Sequence, residues 1–275
     1  MIIDAHQHFW QFDPVRDAWI TDSMQRIRRN FLPADLAPVL ASNGVEGCIA
    51  VQADQSPAET AFLLNLAEKN SMIKGVVGWV DLRADDISAQ LEQYSQHSLI
   101  KGFRHVVQGE PDNRFILGEA FCRGVKALAR FGLTYDILVY PKQLPAVEEF
   151  VLKFPDQRLI IDHLAKPDIK SKAFDTWAAH MNKIAQSPNV YCKVSGMVTE
   201  ADWENWKPSD FRPYLETVLQ AFGPERLVYG SDWPVCLVAA TYQEVKQLVT
   251  DFISPLSASE QAGIMGDNAI TFYQL

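Results

Sequence analysis

The chain is poor in cysteine, and Cys48, Cys122, Cys192 and Cys236 stand far apart with no CxxC pair among them. That spacing excludes a zinc knuckle and gives no disulfide framework, so buried free thiols in a reducing compartment are expected. Long apolar runs are also missing. No stretch approaches the roughly 18 residues of a membrane span, and no secretory-signal pattern precedes the apolar run that begins at Ile2, so a cytoplasmic protein without a membrane partner is expected. Basic blocks are absent beyond Arg26, Arg28 and Arg29, and the formal charge is -9. Nucleic acid is excluded as a partner on that ground, because phosphate binding needs a concentrated basic surface. Internal repeats, low-complexity tracts and heptads are missing as well, which removes any support for a purely structural role.

What the sequence does have is 275 residues that are 48% hydrophobic, enough for one large core; a (β/α)₈ barrel commonly takes about 250 residues. Short β-branched apolar runs alternate with longer amphipathic segments, the pattern of repeated parallel βα units. Eight strands are predicted: Ile2–Phe9, Gly47–Ala53, Gly75–Leu82, Ile100–Val107, Thr134–Tyr140, Arg158–Leu164, Asn189–Ser195 and Arg226–Ser231. The fold class is therefore α/β, a single TIM barrel over residues 1–275. Ser56, Pro57 and Glu59 read as a capping box opening a helix from Pro57 to about Asn70. Gly132 and Gly223–Pro224 read as stops for helices over Glu119–Phe131 and Ser209–Phe222.

Long stretches follow strands 1, 4 and 7, whereas helix-to-strand returns are short, so functional residues should sit at the C-terminal ends of strands. His6 and His8, two apart on strand 1, point to the same side. Strand 6 runs from Leu159–Ile161 into Asp162, His163 and Lys166, and burying such groups costs free energy unless they are paired or liganding. His163 is the candidate there, while its neighbour Asp162 should point the opposite way and be structural. Strand 8 ends in Asp232, which we read as a catalytic carboxylate because Pro234 disfavours an immediate helix. Three imidazoles and one carboxylate suit either one divalent metal or metal-free acid and base chemistry.

Taken together, DAHQHFW (Asp4 to Trp10), GWVDLR (Gly78 to Arg83), GFRHVVQ (Gly102 to Gln108), DHLAKP (Asp162 to Pro167), YCKVSGMVTEADW (Tyr191 to Trp203) and YGSDWPVC (Tyr229 to Cys236) span the whole chain. This combination resembles the amidohydrolase superfamily, and within it the L-fuconolactonase-like and L-rhamnonolactonase-like branch. The resemblance implies a lactonase acting on a small-molecule sugar lactone. It admits either one divalent metal, zinc or manganese, at His6, His8, His163 and Asp232, or none. Strand 5 carries neither the extra His nor the bridging Lys or Glu of binuclear members, so a two-metal site is not expected.

In the expected mechanism Asp232 takes a proton from water and later delivers it to the ring oxygen, which requires burial to raise its pKa. His163, a metal on His6 and His8, or the Arg104 and His105 pair would stabilise the oxyanion. Arg104 and His105, being adjacent, cannot both face inward on a regular strand, but a twisted strand end would bring both near the site. Gln52, Trp79, Tyr140, Lys166, Lys193 and Trp233 are the candidate substrate contacts, with Trp10 and Trp19 as further walls. Decarboxylation or hydrolysis of a polycarboxylate lactone would need more cations than Arg104, Lys166 and Lys193. A non-catalytic sugar-binding barrel is the alternative outside enzymology. Monomer and homo-oligomer are equally compatible with the sequence.

Overall fold

Segments such as Gly47–Val51 and Leu159–Ile161 are apolar throughout and buried throughout, the character of strands covered on both faces. In the computed structural model, which describes residues 1–275, they are β2 and β6 of one parallel eight-stranded sheet in sequence order. The others are β1 (Ile3–Gln7), β3 (Ile73–Gly78), β4 (Ile100–His105), β5 (Thr134–Ile137), β7 (Val190–Val194) and β8 (Leu227–Tyr229). Helices α1 (Pro33–Ser42), α2 (Pro57–Lys69), α3 (Ile87–Ser95) and α4 (Glu119–Ala129) follow β1 to β4. Then α5 (Leu144–Lys153), α6 (Asp175–Ile184), α7 (Pro208–Phe222) and α8 (Tyr242–Ile253) follow β5 to β8, with short α9 (Ala258–Ala262) and α10 (Asn268–Tyr273) at the end.

The ring is closed just beyond the strands themselves. Gln7 bridges to Trp233, His8 N donates to Trp233 O at 2.7 Å, and Asp232 N donates to His6 O at 2.8 Å. Expected helix punctuation is largely present: Gly132 and Gly223 take positive φ after α4 and α7. At α2 Ser56 Oγ accepts from Glu59 N, but the Glu59 carboxylate reaches Ala53 N instead of completing the capping box.

A cluster of 70 buried residues fills the space centred on the sheet and its outer helices. At roughly 1.5–3 kcal/mol per fully buried large apolar side chain, this layer holds the barrel. The second cluster has only 10 members: Ile3, Ala5, Ile49, Val51, Val77, Ile160 and Val228 meet Ala269, Phe272 and Tyr273 of α10. Residues from strands so far apart in the ring meet only inside it, so α10 closes the floor of the barrel. The rest of the lumen is left to polar groups.

Candidate active site

Two departures from regular strand geometry aim the site residues. On β1, Asp4 pairs with Cys48 and Gln7 with Ala50, so β1 holds one more residue than β2 there, a bulge. Ile3 and Ala5 lie in the inner apolar cluster, and after the bulge His6 and His8 turn to the same interior. At the end of β6, His163, Leu164, Ala165 and Lys166 all have φ between 49 and 56°. Left-handed backbone is unfavourable for such residues and persists only where the surroundings impose it. Asp162 keeps the inward phase of Ile160, two residues before it, and the turn brings the His163 ring in beside it, which corrects the expectation that Asp162 faces away. Glycine is required beside them. A Cβ on Gly196, at φ +64°, would lie 2.4 Å from His163 Nδ1, and one on Gly230 would lie 2.6 Å from His6 Cβ.

Asp232, itself at φ 58°, is the point of convergence. Its Oδ1 lies 3.3 Å from His8 Nε2, 3.8 Å from His163 Nε2 and 3.9 Å from His6 Nε2. His6 Nε2 and His8 Nε2 are 3.2 Å apart. The other ring nitrogens are engaged: His8 Nδ1 with Val51 O at 2.8 Å and His163 Nδ1 with Ser195 Oγ at 2.9 Å. His6 Nδ1 faces Lys193 Nζ at 3.2 Å and Asp162 Oδ1 at 3.4 Å.

Burial pushes the His6 and His163 imidazoles well below their ordinary range, against the upward pull of Asp162 on the first and Asp232 on the second. For Asp232 burial acts upward, but His163, His8 and Lys166 outweigh it and hold the carboxyl below its usual value. The expected rise is therefore corrected: a carboxylate among three imidazoles and an ammonium is stabilised as the anion. Asp162 behaves likewise, with Lys193, His6 and Arg104 overcoming burial.

Several expected contacts lie elsewhere. Lys193 is fully enclosed and bonded to Asp136 Oδ2 at 2.6 Å, so it reaches no substrate; a buried ammonium is held by the nearest carboxylates. Gln52 is also fully enclosed, its Oε1 accepting from Arg104 Nη2 at 3.1 Å. Arg104 turns inward, with Nη1 on Asp162 Oδ2 at 3.0 Å and on His6 Nε2 at 3.2 Å. His105 takes the opposite side of β4, stacked on Phe115 and bonded to Glu110 Oε1 at 2.7 Å; the strand end stays in register with β5, so its alternation separates the two. Trp79 Nε1 follows it, 3.4 Å from His105 Nδ1. Trp233 is buried edge-on against Phe31 and Phe9, and Trp10 is buried between Trp19 and Phe31. Tyr140 and Trp19 keep exposed surface. Lys166 pairs with Glu200 Oε1 at 3.1 Å, its Nζ 5.5 Å from the Tyr140 ring centre.

Sequence reasoning passed over Asp136, Glu200 and Tyr273. A signal existed for Asp136, a charge inside the apolar strand Thr134–Ile137, where burial demands a partner. Nothing in the sequence alone points Tyr273 Oη to Asp136 Oδ2, 2.7 Å away.

The donor set can be tested for a metal. Around a tetrahedral ion with ligand bonds of about 2.0–2.1 Å, ligand atoms stand about 3.3 Å apart. His6 Nε2, His8 Nε2 and Asp232 Oδ1 are separated by 3.2, 3.3 and 3.9 Å, and the His8 bond to Val51 O orients its ring as a ligand's partner does. These three residues fit one divalent ion. His163 groups with His6 and Asp162, and its Nε2 stands 3.8 Å from Asp232 Oδ1, so three of the four expected ligands form one group and the fourth lies beside it. No helix is long and apolar enough to cross a membrane.

The chain resembles known proteins over its whole length. The model of the Amidohydrolase family matches residues 3–275. The L-fucono-1,5-lactonase of Burkholderia multivorans is 41% identical over 284 residues, covering 99% of this chain and 96% of its own. That of Burkholderia ambifaria is 36% identical over 282 residues, covering 99% and 95%. A solved amidohydrolase from Burkholderia multivorans with bound zinc superposes with a TM-score of 0.95 at 40% identity, covering 100% of this chain and 99% of that one.

Proposed function

This chain belongs to the amidohydrolase family, and on that footing we propose that it opens a sugar-acid lactone by adding water, an L-fucono-1,5-lactone or near relative being the substrate. The observation that carries this reading is the convergence of His6, His8 and His163 on Asp232 Oδ1, within 3.9 Å, with all four side chains at most 6% exposed.

Asp232 is the base. Held as the anion, it accepts a proton from the attacking water as the water oxygen bonds to the ester carbon. The carbonyl oxygen becomes an oxyanion, and the ring C–O bond then breaks. The departing alkoxide is a far stronger base than a carboxylate, so Asp232 returns the proton to it without needing a raised pKa. With Ser195 donating to Nδ1, His163 carries its hydrogen on Nε2 and donates it to the oxyanion, a contribution of roughly 3 kcal/mol. The product is an open hydroxy acid that ionises in water. His6, His8 and Asp232 would hold a zinc or manganese ion, which supplies Lewis acidity toward the ester carbonyl when bound. Arg104 buttresses His6 through Asp162 and leaves oxyanion stabilisation to His163.

Lys166, Glu200 and Tyr140 offer a donor, an acceptor and an aromatic face to a polyhydroxylated ring. The charge balance favours a neutral substrate over an aromatic acid or polycarboxylate. Arg104 and Lys193 are consumed by Asp162 and Asp136, Lys166 is paired with Glu200, and the cleft of about 600 Å³ that Glu200 also lines sets four carboxylates, Asp168, Glu200, Asp202 and Glu204, against the single cation Lys170. Purified protein offered L-fucono-, L-galactono-, L-rhamnono- and D-arabinono-lactones should release acid, read with a pH indicator, and should leave a resorcylate-type acid untouched. Carbon dioxide release from the latter with no acid from any lactone would overturn the proposal.

A further inference from the structure

Below the pocket a line of polar groups descends the barrel to the C-terminal helix. Tyr273 Oη donates to Asp136 Oδ2 at 2.7 Å, and Lys193 Nζ donates to the same oxygen at 2.6 Å. Lys193 Nζ also lies 2.9 Å from Asp162 Oδ1 and 3.2 Å from His6 Nδ1. Arg104 Nη1 completes the enclosure on the other side, 3.0 Å from Asp162 Oδ2 and 3.2 Å from His6 Nε2. No member is more than 4% exposed. Two carboxylates face two cations, so the formal charge cancels.

Such a set costs more to desolvate than an apolar filling of the same volume, and removing one member strands the rest. The same barrel does use an apolar filling at its floor, where Ile3, Ile49, Val77 and Val228 meet α10. Buried polar networks fix the orientation of their members, and this one holds His6 Nδ1 between Lys193 and Asp162, on the side of the ring away from the metal-holding Nε2. Tyr273 is its terminal anchor. The helix that carries it is itself tied down by Arg158, which donates to Phe272 O, and by Lys101 Nζ, which donates to Gln274 O at 2.9 Å.

We propose that Tyr273 is a positioning residue for the active site: through Asp136 and Lys193 it sets the His6 ring, which makes α10 part of the catalytic scaffold and not only a plug. This rests on the reading of His6 as a metal-holding residue of a lactonase. The test is Tyr273→Phe, which removes one hydroxyl and keeps the ring. Ile270→Ala serves as control, because Ile270 packs on the same inner cluster without touching the network.

The folded, metal-free protein with isotope-labelled histidine is observed by NMR, His6 being assigned by its loss in His6→Gln. In Tyr273→Phe the His6 ring resonances should move while those of His97 and His180 stay. Zinc affinity, measured by competition with a chromophoric chelator, should weaken roughly tenfold, as for other outer partners of a ligand, and kcat should fall with KM held within about twofold. Ile270→Ala should lower Tm and move none of these. Unchanged His6 resonances and zinc affinity in Tyr273→Phe would overturn the proposal, as would equal His6 shifts in Ile270→Ala. Were the wild-type protein inactive on lactones, the function would fall while the NMR comparison still decided the role of Tyr273.

Discussion

The amide of Asp232 donates to the carbonyl of His6 at 2.8 Å. This bond belongs to the seam that closes the barrel, and it joins the two residues whose side chains face each other in the pocket. The catalytic carboxylate is thus located by the same backbone pairing that completes the fold. Its position should survive a change of side-chain chemistry.

Asp232→Asn tests the role of that carboxylate. Asparagine tolerates the left-handed backbone at φ 58° and keeps the shape while losing basicity. We expect kcat/KM for a lactone to fall about 10³-fold, within the usual range for removing a general base, with a thermal midpoint near that of the wild type. Acid-release kinetics beside a circular-dichroism melt separate the two effects. Retention of wild-type turnover would remove Asp232 from the mechanism.

Gly196→Ala tests whether the left-handed turn of β6 is held from β7. The added methyl would meet the His163 ring at 2.4 Å, on a backbone at φ +64°. Either the ring or the loop must move. We expect about 1–3 kcal/mol of lost stability and a kcat reduced by more than tenfold, since His163 is displaced from Asp232. A urea titration combined with steady-state kinetics checks both; full activity with unaltered stability would show that the loop yields freely.

Which parts of this were legible in the sequence follows from the physics of each element. The strands were visible because a strand covered on both faces must be apolar throughout, as in Leu159–Ile161. His6, His8, His163 and Asp232 stood out because polar groups ending such strands need a reason to be there. The orientation of Asp162 was not legible. Set against an inward His163, alternation predicts it outward; in fact Asp162 keeps the inward phase of Ile160, and it is His163 that the left-handed run turns in beside it. Lys193 and Gln52 misled for a related reason: a polar residue near a strand end serves substrate or buries itself on a partner, and the partners Asp136 and Arg104 come from other strands. His105 needed only the period of a strand.

Glu59 gives a prediction about stability and pH. Burial raises its carboxyl from 4.5 to about 7, against the Ala53 and Asp54 amides that favour the anion. Below pH 4.5 both folded and unfolded chains hold the proton. As pH rises through this window the unfolded chain releases it first, so folding is progressively disfavoured, by about 3 kcal/mol once pH exceeds the folded value. Glu59→Gln keeps an acceptor for Ala53 N without the charge. Urea midpoints from pH 5 to 8 should therefore fall in the wild type relative to the variant, and parallel curves would contradict the assignment.

Metal binding can be tested without reference to turnover. An ion bound by the folded chain and not by the unfolded one stabilises it by about 2.7 kcal/mol at a hundredfold excess over Kd, a rise of several degrees in Tm for a domain of this size. Chelator-treated protein should therefore gain Tm on adding zinc. His8→Gln should lose most of that gain, because it removes the ligand whose Nε2 lies 3.2 Å from His6 Nε2 and 3.3 Å from Asp232 Oδ1. Ser195→Ala should keep it, since Ser195 touches only His163 Nδ1 among the imidazoles, outside the three-residue set. Equal loss of the zinc effect in both variants would bring His163 into the ligand set, and a gain in Tm that survives His8→Gln would move the metal away from these residues altogether.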